Sequence, residues 1–131
     1  MLVVDASVAV EGCGADDGFA WLGHEPDLVA PNLMWSEARA VLHHAMYRGV
    51  VSEDEAHAAH ALLEHAPVRR VDRARLGAAA WRVADDLGWA RTYDAEYVAL
   101  AQLLGCRLVT LDGRMRRGAD RLGIVVAPDE L

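Results

Sequence analysis

The strongest constraint on the fold is an alternation. Apolar runs of strand length recur at residues 1–4, 28–30, 68–71, 108–111 and 124–127, and segments with helical spacing fill most of the intervals. Short runs without polar alternation suit strands buried on both faces, and helical connections bring such strands side by side in parallel. The expected architecture is α/β: a three-layer α/β/α arrangement around a central parallel sheet of four to five strands.

The helical segments can be placed. In the first long one, Leu33, Glu37, Ala38, Val41, Leu42 and Ala45 share a face, with Asn32 positioned as N-cap and Gly49 as the stop. Ser52 and Glu55 form a capping box for a second helix that runs to about His65, ahead of Pro67. A third spans 72–88 with Leu76, Ala80, Val83 and Leu87 on its inner stripe; a fourth starts near Tyr93, stacks Tyr97, Val98, Ala101 and Leu104, and stops at Gly105. GCGADDG (12–18) reads as a surface loop before a short helix over 19–22, and its G-x-G-x-x-x-G spacing does not fit a dinucleotide fingerprint.

A chain of 131 residues that is 53% hydrophobic suits one domain, 1–131, with a sizeable core. No basic region precedes the first apolar run and none approaches the roughly 18 apolar residues of a membrane span, so a cytoplasmic protein with no membrane role is expected. Cys13 and Cys106 lack the spacing of a zinc site and read as reduced packing residues. A net charge of -7 argues against coating nucleic acid by bulk attraction, but local phosphate contacts remain open. All positive charge is arginine, much of it in two clusters, 69–75 and 114–121; arginine forks suit phosphate oxygens, yet such clusters also occur on solvated helices.

Four carboxylates stand where apolar residues belong. Asp5 ends the first strand and Asp112 ends another, each at the carboxyl end, outside which parallel sheets bind ligands. Glu37 falls on the inner stripe of its helix, where it must be poorly solvated or held by something positive. Asp94 lies in the first turn of the fourth helix, where a cap is as good a reading as a ligand. Converging carboxylates raise one another's pKa unless a cation is present, and an all-oxygen set suits Mg²⁺ or Mn²⁺. His57 and His60, one turn apart, lack a third ligand at useful spacing; Trp21, Trp35, Trp81 and Trp89 read as core or contact residues.

With these residues in view, VVDASVAV, DLVAPNLMWSEARAVL, TYDAEYVALA and CRLVTLDGRM resemble the PIN domain family, specifically its VapC-type ribonuclease toxins of type II toxin–antitoxin pairs. The resemblance covers essentially the whole chain. It implies sheet order 3-2-1-4-5, an acidic catalytic and metal site at Asp5, Glu37, Asp94 and Asp112, and supporting hydroxyls at Ser7 and Thr110. It further implies dependence on Mg²⁺ or Mn²⁺, an RNA substrate, a homodimer and a cognate antitoxin.

The leading expectation is a metal-dependent endoribonuclease, with Arg114, Arg116 and Arg117 on the RNA backbone. The competitors are a catalytically idle RNA- or partner-binding module and a housekeeping nuclease without an antitoxin. A phosphoacceptor switch is disfavoured, because such sites use a strand-end lysine and this chain has none.

Overall fold

The computed structural model describes residues 1–23 and 27–131. The chain runs β1 (Leu2–Val4), α1 (Ala6–Gly14), β2 (Leu28–Ala30), α2 (Leu33–Tyr47), α3 (Glu53–Glu64), β3 (Val68–Arg70), α4 (Leu76–Leu87), α5 (Tyr93–Leu104), β4 (Arg107–Val109), α6 (Gly113–Gly118) and β5 (Val125–Val126). Every residue of β1 is buried, as its apolar run requires. β1 pairs in parallel with β2, Leu2 opposite Leu28, and on its other side with β4, Val4 opposite Val109. With β3 beyond β2 and β5 beyond β4, the sheet is five-stranded in the order 3-2-1-4-5, and all its pairings are parallel.

That order fixes where the helices go. From β1 to β3 the connections step one way; from β3 the chain crosses back to β4 and steps the other way to β5. Parallel crossovers are right-handed, so the reversal puts α1, α2 and α3 on one face and α4, α5 and α6 on the other. The packing agrees: α1, α2 and α3 touch one another, while α4 lies on α5 and α5 on β1 and β4. The switch point falls between β1 and β4, at the ends that carry Asp5 and Asp112.

Several local expectations change. The stretch expected as a loop over 12–18 begins inside α1, whose buried residues are Val8, Ala9, Gly12 and Cys13. A Cβ on Gly12 would sit 2.5 Å from the Phe19 ring, so this glycine serves close packing rather than loop freedom. In α2 the buried residues are Met34, Trp35 and Ala38, and Val41 is 51% exposed. The face is rotated from the one expected because the helix also meets α1. Asn32 already has helical backbone angles and makes no side-chain cap. The third helix starts at Leu76 rather than 72. The Ser52–Glu55 capping box forms as expected.

Neither Cys13 nor Cys106 is in a disulfide. Among the described residues no helix is long and apolar enough to cross a membrane.

Candidate active site

Asp5 follows the last residue of β1 and N-caps α1, so it is carried from the sheet interior straight into a helix start. It is 3% exposed, the one buried charged residue among those described, and Thr110 is the one other buried polar residue. Its Oδ1 accepts from the Ser7 hydroxyl at 2.5 Å and the Val8 amide at 3.1 Å, and its Oδ2 accepts from the Thr110 hydroxyl at 2.5 Å. A buried carboxylate needs such donors. Ser7 and Thr110, which the resemblance implies as hydroxyls bonded to the carboxylates or to a metal-bound water, both donate to Asp5.

The same hydroxyls reach onward. Ser7 Oγ accepts from the Leu111 amide at 3.0 Å, and Thr110 Oγ1 accepts from the Asp112 amide at 2.9 Å, lacing the end of β1 to the turn after β4. β4 ends at Val109, so Asp112 does not close a strand as expected; it stands past that turn and N-caps α6. There its Oδ1 accepts from the amides of Arg114 at 2.9 Å and Met115 at 3.4 Å.

Glu37 and Asp94 face this turn from opposite layers. Glu37, expected to be either poorly solvated or held by something positive, is half-buried and has a neutral donor: the Tyr97 hydroxyl donates to its Oε1 at 2.5 Å. Tyr97 itself is fully buried on α5. Sequence reasoning had placed Tyr97 in the core without a role; its hydroxyl, on a stripe otherwise filled by Val98 and Ala101, was the available signal. Asp94 caps nothing. Thr92 holds the N-cap position without a side-chain bond, and the Asp94 carboxylate accepts no hydrogen bond among the described residues.

The electrostatics tie the four acids together. Burial pushes the Asp5 carboxyl above its ordinary value, with Asp112 adding to the rise. Burial also raises Glu37, helped by the negative charges of Asp94, Asp5 and Glu96. Asp94 is raised by burial and then by Asp112 and Asp5, while Arg114 pulls it back. Burial and the neighbouring Glu37 hold the Tyr97 hydroxyl firmly protonated, and so always a donor.

An all-oxygen set with four negative charges and one nearby guanidinium fits a hard divalent cation better than any soft metal. Among the described residues no three His, Cys, Asp or Glu side chains are gathered tightly enough to hold one ion directly.

The other candidates lie elsewhere. Arg114, with Glu37 and Asp94, lines a cleft of about 630 Å³ between the α4–α5 loop and α6. Arg116 instead donates to Glu130 at 2.8 Å and Asp120 at 2.6 Å, and with Arg117 it borders a separate surface. His60 is engaged with Arg39 and Glu64, and no metal cluster forms around it or His57 among the described residues. Trp35 is buried under the Arg70 guanidinium, whereas Trp81 is 66% exposed.

A five-stranded parallel α/β/α fold with acids gathered at its switch point defines a class, the PIN-like proteins. Residues 2–121 match the PIN domain family, and the chain belongs to that family. It is 32% identical to Ribonuclease VapC9 of Mycobacterium tuberculosis over 98% of this chain and 99% of that one. Among solved structures, PAE2754 from Pyrobaculum aerophilum has the same fold at a TM-score of 0.75 and 23% identity, covering 98% of this chain and 90% of that one. VapC20 of Mycobacterium tuberculosis, described as a sarcin-ricin loop cleaving toxin, has it at a TM-score of 0.62 and 23% identity, covering 89% and 94%.

Proposed function

We propose that this chain is a divalent-metal-dependent endoribonuclease, the toxin of a toxin–antitoxin pair. The observation that carries the reading is the mutual electrostatic reach of Asp5, Glu37, Asp94 and Asp112 at the switch point, with Arg114 as their nearby cation. Full-length similarity to a protein named as a ribonuclease supports RNA as the substrate. The same reading brings a cognate antitoxin protein that blocks the site, a homodimer and a cytoplasmic location.

Asp5, Asp94 and Asp112 would hold Mg²⁺ or Mn²⁺ together with water, and Glu37 would bind it or orient a water. When bound, such an ion lowers the pKa of water and offsets the charge that builds on phosphate oxygens. The protein's own part is positional. Ser7 and Thr110 fix the Asp5 carboxylate, Tyr97 fixes Glu37, and Arg114 faces the RNA backbone. Water rather than the ribose 2′-hydroxyl would attack phosphorus while the P–O3′ bond breaks and O3′ takes up a proton, so the products carry a 5′-phosphate and a 3′-hydroxyl.

RNA cleavage in Mg²⁺ or Mn²⁺ tests this, with EDTA, Asp5→Asn and Asp94→Asn as controls. Full activity in EDTA or in either variant overturns the metal mechanism, and cyclic-phosphate products point to a different chemistry. Binding is read separately: Mn²⁺ should raise the melting temperature, and the gain should shrink in Asp94→Asn. One observation favours a second reading. Because no three ligating side chains are gathered among the described residues, the chain could act as an idle RNA- or partner-binding module. RNA binding without metal, and no cleavage across many substrates, would establish that instead.

A further inference from the structure

We propose that the cleft beside the acids seats single-stranded RNA, with Tyr93 stacking one base while Arg91 and Arg114 hold the phosphates flanking it. This assignment rests on the reading above that the chain handles RNA. It adds Arg91 and Tyr93 to the site.

Glu37 and Asp94 line the cleft of roughly 630 Å³ together with Trp89, Arg91, Tyr93 and Arg114. Cavities of a few hundred Å³ or more are the size that takes ligands. Tyr93 directly precedes Asp94 at the start of α5 and is 55% exposed, so its ring stands at the cleft beside the acid. An aromatic face held in water next to a reaction centre is what single-strand channels use to stack bases without regard to sequence.

Trp89 has a different part. A Cβ on Gly118 would lie 3.2 Å from the indole Nε1 and 3.3 Å from Cζ2, so the ring packs closely against α6. It therefore packs the α4–α5 loop against α6 at the cleft wall. That leaves Tyr93 as the stacking surface.

The arginines point the same way. Six guanidinium groups are committed elsewhere: Arg39 to Glu64, Arg69 to Asp27, Arg107 to the Glu130 carbonyl, Arg116 to Glu130 and Asp120, Arg121 to the Asp86 carbonyl, and Arg70 over Trp35; those of Arg48, Arg73, Arg75, Arg82 and Arg117 make no such bond among the described residues but do not line the cleft. Those of Arg91 and Arg114 make no hydrogen bond or ion pair among the described residues, although Arg114 feels Asp94 across the cleft. In a chain of net charge -7, two uncommitted forks bordering the acids form a local phosphate site rather than a bulk attraction. Stacking on Tyr93 needs an unpaired base, which selects a single strand over a duplex.

The test measures binding of a fluorescein-labelled single-stranded RNA of about ten nucleotides to the full chain in EDTA, by anisotropy across a salt series. Arg91→Ala and Arg114→Ala should each weaken binding about 5- to 10-fold and lower the salt slope by about 0.7. Tyr93→Ala should weaken it about tenfold with the slope unchanged, and Tyr93→Phe should restore it. Arg73→Ala, exposed outside the cleft, should have no effect. Wild-type affinity in the Arg91, Arg114 and Tyr93 variants, or an equal loss in Arg73→Ala, overturns the assignment. So does displacement of the RNA by a glutamate-rich peptide at matching concentration, which would make the cleft a protein dock.

Cleavage is scored separately in Mn²⁺. If the binding pattern holds without cleavage, the nuclease reading fails and the cleft assignment stands. If cleavage occurs while the three cleft variants bind normally, the cleft assignment fails and the nuclease reading stands.

Discussion

The Thr110 hydroxyl donates to Asp5 Oδ2 at 2.5 Å across 105 positions of sequence, and its oxygen accepts the Asp112 amide at 2.9 Å. One hydroxyl therefore holds two of the four acids in register. Thr110→Val keeps the shape and removes both bonds, leaving a buried carboxylate short of a donor. The variant should lose about 1–3 kcal/mol in urea unfolding, and Thr110→Ser should lose much less. Equal midpoints for the Val variant and the wild type would show that Asp5 is held by Ser7 and Val8 alone.

Stability should depend on pH with a sign set by the raised acids. Asp5, Glu37 and Asp94 all titrate above their ordinary values, chiefly through burial. Between the ordinary and the raised values the folded chain binds more protons than the unfolded one, so stability falls as pH rises through that window. Glu130 behaves oppositely: hydrogen-bonded by Arg116, it is held down to about 2, and its contribution is lost as pH falls toward that value. Melting curves in EDTA should show the decline toward neutral pH, and Asp5→Asn should flatten it. A wild-type slope in Asp5→Asn would mean that Asp5 is not raised.

Tyr97→Phe keeps the ring in the core and removes the donor to Glu37. If Glu37 takes part in cleavage, kcat should drop about tenfold with KM little changed, the size expected for one hydrogen bond to a charged group. An unchanged kcat in a folded variant would remove Glu37's orientation from the mechanism.

Arg116→Ala separates the arginines that look alike in sequence. Because its fork is committed to Glu130 and Asp120, the change should lower the melting temperature slightly and leave RNA affinity unchanged. A loss of affinity matching that of Arg114→Ala would return Arg116 to the RNA backbone.

The residues that could be read from sequence were those whose chemistry conflicts with their setting. Element order follows from apolar runs alternating with helical spacing, whereas the strand order 3-2-1-4-5 comes from the family resemblance; the structure has both. What escaped depended on partners distant in sequence. The glycines at 12 and 14 looked like a loop, because nothing local shows that Gly12 faces the Phe19 ring. The neutral donor on Glu37 comes from a tyrosine 60 positions away, so nothing local to the helix announces it. The commitment of Arg116 was hidden for the same reason, since Glu130 reaches it only after the chain has passed through β5.

The lacing of β1 to the turn after β4 also bears on how the protein is made. A ribosome delivers β1, α1 and β2 early, but the second neighbour of β1 and the Thr110 hydroxyl arrive only after most of the chain. Until then β1 is an open edge and Asp5 lacks the donor to one of its oxygens. The acidic centre is thus completed late in translation, and an unfinished chain that stops short of Arg107 carries Asp5, Glu37 and Asp94 without the strand and hydroxyl that assemble them.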